Sequence, residues 1–188
     1  MRTDPTTARA AVSPCRHRAF SLACASASWV SLLLACAEEA PQPVAERVRQ
    51  AVWVEIAGEL FELELASDPA TRMRGLGGRL SLPHNGGMLF VFERRRVLAM
   101  VMRDCVIPLD VAFLDPAGRV LAIHEMSVEP PRGPNESRRD YDSRLRIYPS
   151  VLPALFAVET AGGRMRELGL EVGEQLVFDA AGLAKRVR

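Results

Sequence analysis

The sequence has almost no excess of charge of either sign. Its 24 lysine and arginine residues balance 23 aspartate and glutamate residues, so the formal net charge is +1. Proteins that bind the phosphate backbone of nucleic acids usually carry a strong basic excess. Lys185 is the only lysine, and such uniform use of arginine indicates genome composition more than local selection. The charge balance therefore disfavours nucleic acid as a partner.

The sequence also lacks the short motifs of common cofactor sites. It contains no P-loop, no glycine-rich dinucleotide fingerprint, no HExxH pair and no CxxC pair. We therefore expect no cofactor and no bound nucleotide or zinc. What is present is the composition of a globular protein, with 188 residues of which 48% are hydrophobic and 25% are charged. A chain of this size and composition predicts one hydrophobic core and excludes collagen, a coiled-coil rod and a wholly disordered chain.

The first part of the chain has the pattern of an export signal. Arg16 and Arg18 precede residues 19–35, which contain no charged side chain, and Cys36 follows. A basic region before an apolar region is typical of a cleaved secretory leader. The apolar stretch contains four serines, so it is marginal as a permanent membrane span. We predict that residues 1–35 are a signal peptide.

The end of this leader, Leu33-Leu34-Ala35-Cys36, resembles a bacterial lipobox. The resemblance implies that Cys36 is acylated and becomes the new N-terminus. The alternatives are ordinary cleavage near Ala37 or an uncleaved anchor. No aspartate follows Cys36 directly, which favours the outer membrane, so we expect an exported protein on the periplasmic face of the bacterial envelope, tethered by its N-terminal lipid. Cys105 is then the one free thiol, and no internal disulfide can form.

Apolar alternation divides the rest of the chain into short strands. We predict a flexible tether over residues 36–50, a single β-rich domain over residues 51–179 and a basic, frayed tail over residues 180–188. The predicted strands cover residues 51–57, 59–66, 88–92, 97–103, 109–114, 119–126, 153–160 and 175–179, and the helices cover residues 70–76 and 162–168. This order predicts an α+β, mainly β protein, built as a small curved sheet or barrel-like meander of about eight short strands with two short helices.

Some local features of this organisation carry specific expectations. Ser67-Asp68-Pro69 is typical of a helix start, and Met73 and Leu76 would form the buried face of that helix. Residues 93–96 read as a charged turn between two strands. Trp53 is expected in the core, and an edge or partner contact is the alternative. Residues 127–147 form a long polar loop, which in a compact domain is usually functional or disordered.

Several motifs then follow one another through the central part of the chain. They are Arg74-Gly75-Leu76, Gly87-Met88-Leu89-Phe90-Val91-Phe92, Met102-Arg103-Asp104-Cys105-Val106-Ile107-Pro108-Leu109-Asp110-Val111-Ala112-Phe113-Leu114-Asp115, Tyr148-Pro149-Ser150, Ala157-Val158-Glu159, the helix from Gly163 to Gly169 and Val172-Gly173-Glu174. This succession resembles family 192 of the domains of unknown function, roughly from Val52 to Phe178. The resemblance implies a small β-rich domain, often exported, with no established activity.

The chain departs from that family at two places. The family commonly has an aromatic residue before the methionine, then lysine, asparagine and threonine, where this chain has Val101, Arg103, Asp104 and Cys105. It also commonly has a cysteine pair ahead of the tyrosine, which is missing here. If the family shares a ligand, these departures imply that this member binds it differently.

Charged residues flank an apolar turn in the stretch from Met102 to Asp110. Charged groups beside a sheet core need a partner or solvent, so these side chains could line a cleft that grips a small polar ligand or a protein partner. The competing interpretation is structural, with Asp110 accepting hydrogen bonds that fix the strand crossing. The predicted ligand-binding residues are Met102, Arg103, Asp104, Asp110, Tyr148 and Ser150. We expect binding without catalysis.

Two other functions compete with this one. A hydrolase-like enzyme would use Cys105 or Ser150 as nucleophile with His124 as base, or Cys105 with His84. Neither nucleophile stands in a recognisable local motif. Copper(I) binding would use thioether and imidazole groups, although methionine in a strand is more often core. The copper ligands would be Met100, Met102, His124 and Met126.

Overall fold

The computed structural model describes residues 50–187. The predicted signal peptide, the lipidation site Cys36 and all of the predicted tether except Gln50 lie outside the described residues. Within residues 50–187, no helix is long and apolar enough to cross a membrane.

The described chain contains six strands and four short helices. In chain order these are β1 (Ala51–Ile56), β2 (Glu59–Ala66), α1 (Pro69–Arg74), β3 (Gly86–Met100), β4 (Leu109–Leu114), β5 (Val120–Met126), α2 (Arg138–Arg144), β6 (Tyr148–Ala161), α3 (Arg164–Glu167) and α4 (Ala180–Ala184). The strands form one curved, open sheet in the order β1-β2-β3-β6-β4-β5. The predicted class, α+β and mainly β, is confirmed.

The connections differ from the predicted meander. β2 and β3 pair in parallel, and every other neighbouring pair is antiparallel. β6 lies between β3 and β4, so it separates two strands that follow each other in the chain. Parallel pairing requires a crossover connection, which α1 and the following loop provide. Long-range pairing of β6 therefore decides the order of the sheet.

The prediction of about eight strands is too high for two reasons. The segments predicted as separate strands on either side of the charged residues 93–96 are one strand, β3, which bulges there; the prediction of a turn is wrong. The predicted last strand makes only isolated bridges, Glu55 with Val177 and Arg119 with Gln175.

Alternate residues of the central strands pack into two hydrophobic clusters, one on each face of the sheet. All six residues of β4 are buried, and Ala112 and Leu114 join one cluster while Leu109, Val111 and Phe113 join the other. We call the first the α3 face, since it contains Met165 of α3. We call the second the α2 face, since the loop to which α2 bonds contributes Met102 and Cys105 to it. Period-two alternation in a strand buried on both sides produces this division.

The local expectations are met in part. Asp68 caps α1 by accepting a hydrogen bond from the backbone N–H of Thr71, and Pro69 is the first helical residue. Leu76 is buried, but Met73 is 65% exposed and Trp53 is 59% exposed, so both core predictions are wrong. A single short helix or an edge strand has one buried side, and its outward side chains remain in solvent whatever their type.

Two segments predicted without structure contain helices. The long polar loop holds α2, whose Tyr141 is buried, and the predicted frayed tail holds α4, whose Leu183 is buried. In each helix one large side chain reaches the core, and a capping side chain, Ser137 or Asp179, satisfies a free backbone N–H.

Candidate functional site

The loop between β3 and β4, residues 101–108, is fixed from two sides at Asp104. The backbone N–H of Asp104 donates to Tyr141 Oη at 2.9 Å, and its carbonyl oxygen accepts from the N–H of Gly78 at 2.8 Å. Asp104 has a φ of 55°, a left-handed conformation that aspartate and asparagine tolerate better than most residues. The loop that follows α1, this loop and α2 therefore meet at one residue.

The side chains of Arg103 and Asp104 are paired with α2. Arg103 Nε lies 2.9 Å from Asp142 Oδ1, and Arg138 Nη1 lies 3.2 Å from Asp104 Oδ2. Arg138 also lies near Asp142, at 3.5 Å. These partly exposed ion pairs hold α2 over the loop, so the two predicted ligand-binding side chains already have protein partners.

Asp110 is a structural residue of the α3 face. Its two carboxylate oxygens accept the backbone N–H groups of Gly163 and Met165, each at 2.9 Å, and the residue is fully buried. Burial raises the pKa of Asp110, and the two hydrogen bonds oppose that rise. The carboxylate of this β4 residue thus satisfies free N–H groups at the start of α3. The structural interpretation of the sequence expected such hydrogen bonds to fix the strand crossing; here they hold the start of a helix.

Ser150 and Tyr148 serve the backbone of β6 and its neighbours. Ser150 Oγ accepts the N–H of Leu98 at 2.9 Å and donates to the carbonyl of Leu152 at 2.6 Å. Tyr148 Oη accepts the N–H of Ser127 at 3.3 Å. Both side chains are buried, and their polar atoms are used within the fold.

The structure does not bring the six predicted ligand-binding residues together. Met102 and Tyr148 belong to the cluster of the α2 face, whereas Asp110 bonds to α3 on the opposite face. Arg103 and Asp104 lie at the surface in ion pairs. In β4, Asp110 alternates with Leu109 and Val111, and this period of two turns its side chain away from Met102 and Tyr148.

Neither predicted nucleophile is activated. Burial, followed by the negative charges of Glu159 and Asp104, raises the pKa of Cys105 to about 12, so its thiol is protonated at neutral pH. Ser150 Oγ is held by two backbone groups. His124 Nε2 is 2.7 Å from the carbonyl of Pro149, and in the described chain it bonds to neither Cys105 nor Ser150. His84 is exposed on the surface.

The side chains predicted to bind copper pack in the core or form a hydrogen bond within the protein. Met102 and Met126 are buried in the α2-face cluster, with Met100 packed against it. His124 Nε2 donates a hydrogen bond to the carbonyl oxygen of Pro149, so this nitrogen carries a proton and has no free lone pair for a metal ion. Residues 50–187 contain no group of three or more histidine, cysteine, aspartate or glutamate side chains placed to hold a metal ion.

Glu159, which is not among the residues predicted from the sequence, is a buried carboxyl residue without a protein partner in the described chain. Glu159 lies in β6 between Met88 of β3 and Val111 of β4, pointing into the α2 face. It is 5% exposed, and within the described chain its carboxyl group forms no hydrogen bond and no ion pair. Burial raises the pKa of Glu159 to about 8. A carboxyl group at this depth normally has a partner.

The carboxyl group of Glu159 nevertheless keeps contact with solvent. Among side-chain nitrogen and oxygen atoms of the described residues that are sealed from solvent, only Arg164 Nε lacks a hydrogen-bond partner. Since the two oxygens of Glu159 also lack partners, they are not sealed, and the small exposed area of the residue includes them. We call this place the Glu159 opening; Met88 and Val111 flank Glu159 across the sheet, and Cys105 lies within range of its charge.

A glycine keeps the backbone close behind this carboxyl group. A Cβ atom on Gly87 would collide with the carbonyl oxygen of Glu159, so β3 and β6 approach each other more closely than larger residues permit. The sequence signal for Glu159 was a single charged residue inside an apolar strand, Leu155-Phe156-Ala157-Val158-Glu159. Edge strands often carry such residues on a solvent-facing side, and only the position of β6 inside the sheet makes this one buried.

Comparison with known proteins assigns this chain to a family. The family profile described as uncharacterized ACR, domain of unknown function 192, matches residues 52–178. The chain belongs to this family. The match includes every strand from β2 to β6 and therefore the whole Glu159 opening. A comparison with the curated proteins finds no match.

Two solved structures resemble this family 192 domain. A protein from Sinorhizobium meliloti 1021 (R01717), described as a proposed transcription regulator, is 27% identical with a TM-score of 0.56, and the match covers 70% of this chain and 95% of that one. A protein of unknown function from Novosphingobium aromaticivorans DSM 12444 is 28% identical with a TM-score of 0.55, covering 73% and 90%. They support the fold and assign no activity to this chain.

One departure of this family 192 chain from the common pattern has a structural explanation. The common asparagine is replaced by Asp104, which adopts the left-handed conformation that both residues tolerate. The common threonine is replaced by Cys105, whose Sγ donates weakly to the carbonyl of Arg103 at 3.6 Å. Both changes retain the loop and leave a thiol, in place of a hydroxyl, within range of the Glu159 charge.

Proposed function

We propose that this protein is an exported, membrane-tethered module that binds a small polar ligand without catalysis, and that Glu159 receives the ligand. The export and tethering rest on the leader and on Cys36. The binding rests on one observation, which is that a nearly buried carboxyl group has no partner among residues 50–187 and still contacts solvent.

Leaving such a carboxyl group unpaired costs free energy. A buried polar group without a hydrogen bond typically costs about 1–3 kcal/mol in proteins, and a charged one costs more. The neighbours of Glu159 across the sheet, Met88 and Val111, offer no donor from their side chains. Groups held in such unfavourable surroundings are enriched at functional sites, and a ligand with a hydrogen-bond donor would remove the cost.

The state of the carboxyl group limits the chemistry of the ligand. With a pKa of about 8, Glu159 is mainly a neutral acid at pH 7, with one O–H donor and a carbonyl acceptor. A primary carboxamide presents the complementary donor and acceptor and can pair with both. The ligand would be a small molecule with such a group, or an amide side chain of an envelope protein that enters the opening.

Catalysis does not fit the same surroundings. The thiol of Cys105 is a nucleophilic group that the Glu159 charge reaches, and that charge raises the pKa of the thiol further. A neutral thiol beside a neutral carboxylic acid provides neither a nucleophile nor a base at neutral pH. The site is therefore suited to binding.

The test uses a pair of probes that differ in one donor group. Acetamide and acetone have similar size, but only acetamide can donate a hydrogen bond, so acetamide at millimolar concentration should raise the melting temperature of the full-length protein and acetone should not. Glu159→Met should lose the acetamide effect. Glu62→Gln, which changes an exposed carboxylate of β2, should keep it. Equal responses to both probes, or an unchanged response in Glu159→Met, would refute binding at Glu159.

A further inference from the structure

Strands β3 and β6 extend beyond the rest of the sheet as a two-stranded arm. β2 pairs with β3 only as far as Phe90, and β4 pairs with β6 only from Phe156 onward. Beyond these points the two strands continue to pair with each other, from Arg96 with Ala154 to Met100 with Tyr148. We call residues 92–100 and 148–155 the arm. Leu98, Tyr148 and Ala154 of the arm pack into the α2-face cluster, and the arm also carries exposed side chains.

Two bulges shape the arm. Between the pairs Val91–Phe156 and Arg96–Ala154, β3 has four residues where β6 has one; between Val97–Pro153 and Ala99–Pro149, β6 has three residues where β3 has one. The second bulge is held internally by Ser150, which bonds to Leu98 and Leu152. It places Val151 at a φ of 61°, a strained conformation for a β-branched residue.

The arm exposes basic and apolar side chains together. Arg94, Arg95 and Arg96 are exposed, and within the described chain none of them pairs with a carboxylate; Arg96 stacks on the ring of Phe92. Val97, Val151 and Leu152 are each more than half exposed. The strained bulge thus holds two large apolar side chains in solvent at a cost in stability, and the same arm carries three arginines that no carboxylate of the described residues neutralises.

We propose that this arm binds the surface of a membrane that contains anionic lipids. An anionic bilayer offers phosphate groups to the arginines and an apolar layer to the valine and leucine side chains at the same time. The flanking Glu93 is already paired with Arg72 at 2.9 Å, so it does not neutralise the run. The inference is independent of Glu159, since it involves a different part of the sheet.

The experiment measures local hydrogen exchange in the arm, because the leader could attach the full-length protein to any bilayer. The protein is reconstituted with phosphatidylcholine vesicles and with vesicles that also contain phosphatidylglycerol. Amide exchange in residues 93–98 and 150–155 should be at least about tenfold slower on the anionic vesicles, since each arginine near such a surface strengthens binding about fivefold. Raising the salt concentration should remove the difference.

Two double variants separate the contribution of the arginines to the slower exchange from that of the apolar side chains, and a third serves as control. Arg94→Gln with Arg95→Gln, which leaves the Arg96 stacking intact, should abolish most of the difference, and Val151→Asp with Leu152→Asp should abolish the rest. Arg74→Gln with Arg139→Gln, at exposed arginines outside the arm, should leave it unchanged. The proposal is overturned if exchange is equal on both vesicles, if the control variant has the same effect, or if the protection already occurs in detergent without lipid, which would indicate self-association.

Discussion

At the scale of one residue, two buried carboxyl groups of the same sheet differ in whether they have a hydrogen-bond partner, and this difference decides whether their burial favours folding. Asp110 and Glu159 lie on adjacent strands and face opposite clusters. Asp110 accepts two backbone N–H groups, so its burial stabilises α3. Glu159 accepts none, so its burial opposes folding unless something else binds there. The first is explained by the fold alone and the second is not.

The pH dependence of stability should reveal Glu159. In the unfolded chain it ionises near pH 4.5, whereas in the folded protein its pKa is about 8. Between these values the folded state holds one more proton than the unfolded state, so the free energy of unfolding should fall by about 1.4 kcal/mol per pH unit as the pH rises. Below and above this window Glu159 should contribute no slope. Urea unfolding from pH 4 to pH 9 measures it.

Glu159→Gln should remove this slope and make the protein more stable at pH 8 than the original chain. Glu62→Gln should keep the slope, because Glu62 is exposed on β2. A profile of Glu159→Gln parallel to that of the original protein would mean that the carboxyl group ionises normally and is not desolvated.

The residues that the sequence could predict are those whose role depends on close neighbours. Asp68 was recognised as a helix cap because Pro69 follows it directly, and Leu76 was placed in the core. Trp53 was misplaced, because an edge strand leaves one side in solvent and nothing local tells which side that is. Glu159 could not be predicted as buried, because its burial depends on strands that are distant in sequence.

At the scale of elements, short helices of this protein depend on side chains from other segments. α3 has only four residues, too few to be stable alone, and its free N–H groups are satisfied by Asp110 from β4. Gly163 precedes it with a φ of 85°, which a glycine permits without strain. The sequence predicted a helix here but could not show what holds its first turn.

Asp110→Ala should therefore weaken folding more than binding. Loss of the carboxylate leaves the buried N–H group of Met165 and the partly buried one of Gly163 unsatisfied, which should cost about 3 kcal/mol in the free energy of unfolding. Asp179→Ala is the matched control, because Asp179 caps α4 in the same way from an exposed position and should cost about 1 kcal/mol. Urea unfolding measures both. A loss for Asp110→Ala no greater than that for Asp179→Ala would show that the buried bonds contribute little.

A strand could be predicted where its pairing partner is close in sequence, and not where the partner is distant in sequence. The β1–β2 hairpin follows from alternation on both sides of Ala57-Gly58, where both residues have positive φ. The continuity of β3 through residues 93–96 was not predictable, because four charged residues normally end a strand and here they form a bulge stabilised by pairing with β6.

At the scale of the whole molecule, the order of the sheet depends on one long-range event. A meander was the natural expectation for strands joined by short turns, but β6 enters between β3 and β4. This insertion buries Glu159, seals β4 on both sides and creates the arm. The composition and alternation of the sequence predicted a mainly β sheet, and they contained no information on which strand fills the centre.

The proposed tether is also a property of the whole molecule, and it predicts a specific N-terminus. If the lipobox functions, protein extracted from membranes should begin at Cys36 and carry the mass of a diacylglycerol group with or without a further acyl chain. Intact-protein mass spectrometry measures this directly. Cys36→Ser should yield protein without the lipid mass, because a serine oxygen cannot replace the thiol that is alkylated.

Cys105→Ser is the matched control for this substitution, since it changes a thiol inside the domain and leaves the leader intact; its product should keep the lipid mass. A second variant, Leu34→Ala, should increase the processed fraction, because lipoboxes commonly have a small residue at the place where this chain has Leu34. Protein that begins near Ala37 without lipid would show ordinary cleavage, and protein that retains residues 1–35 would show an uncleaved anchor. Either result would overturn the lipid tether while leaving the tests of Glu159 and of the arm unaffected, because both concern residues beyond Gln50.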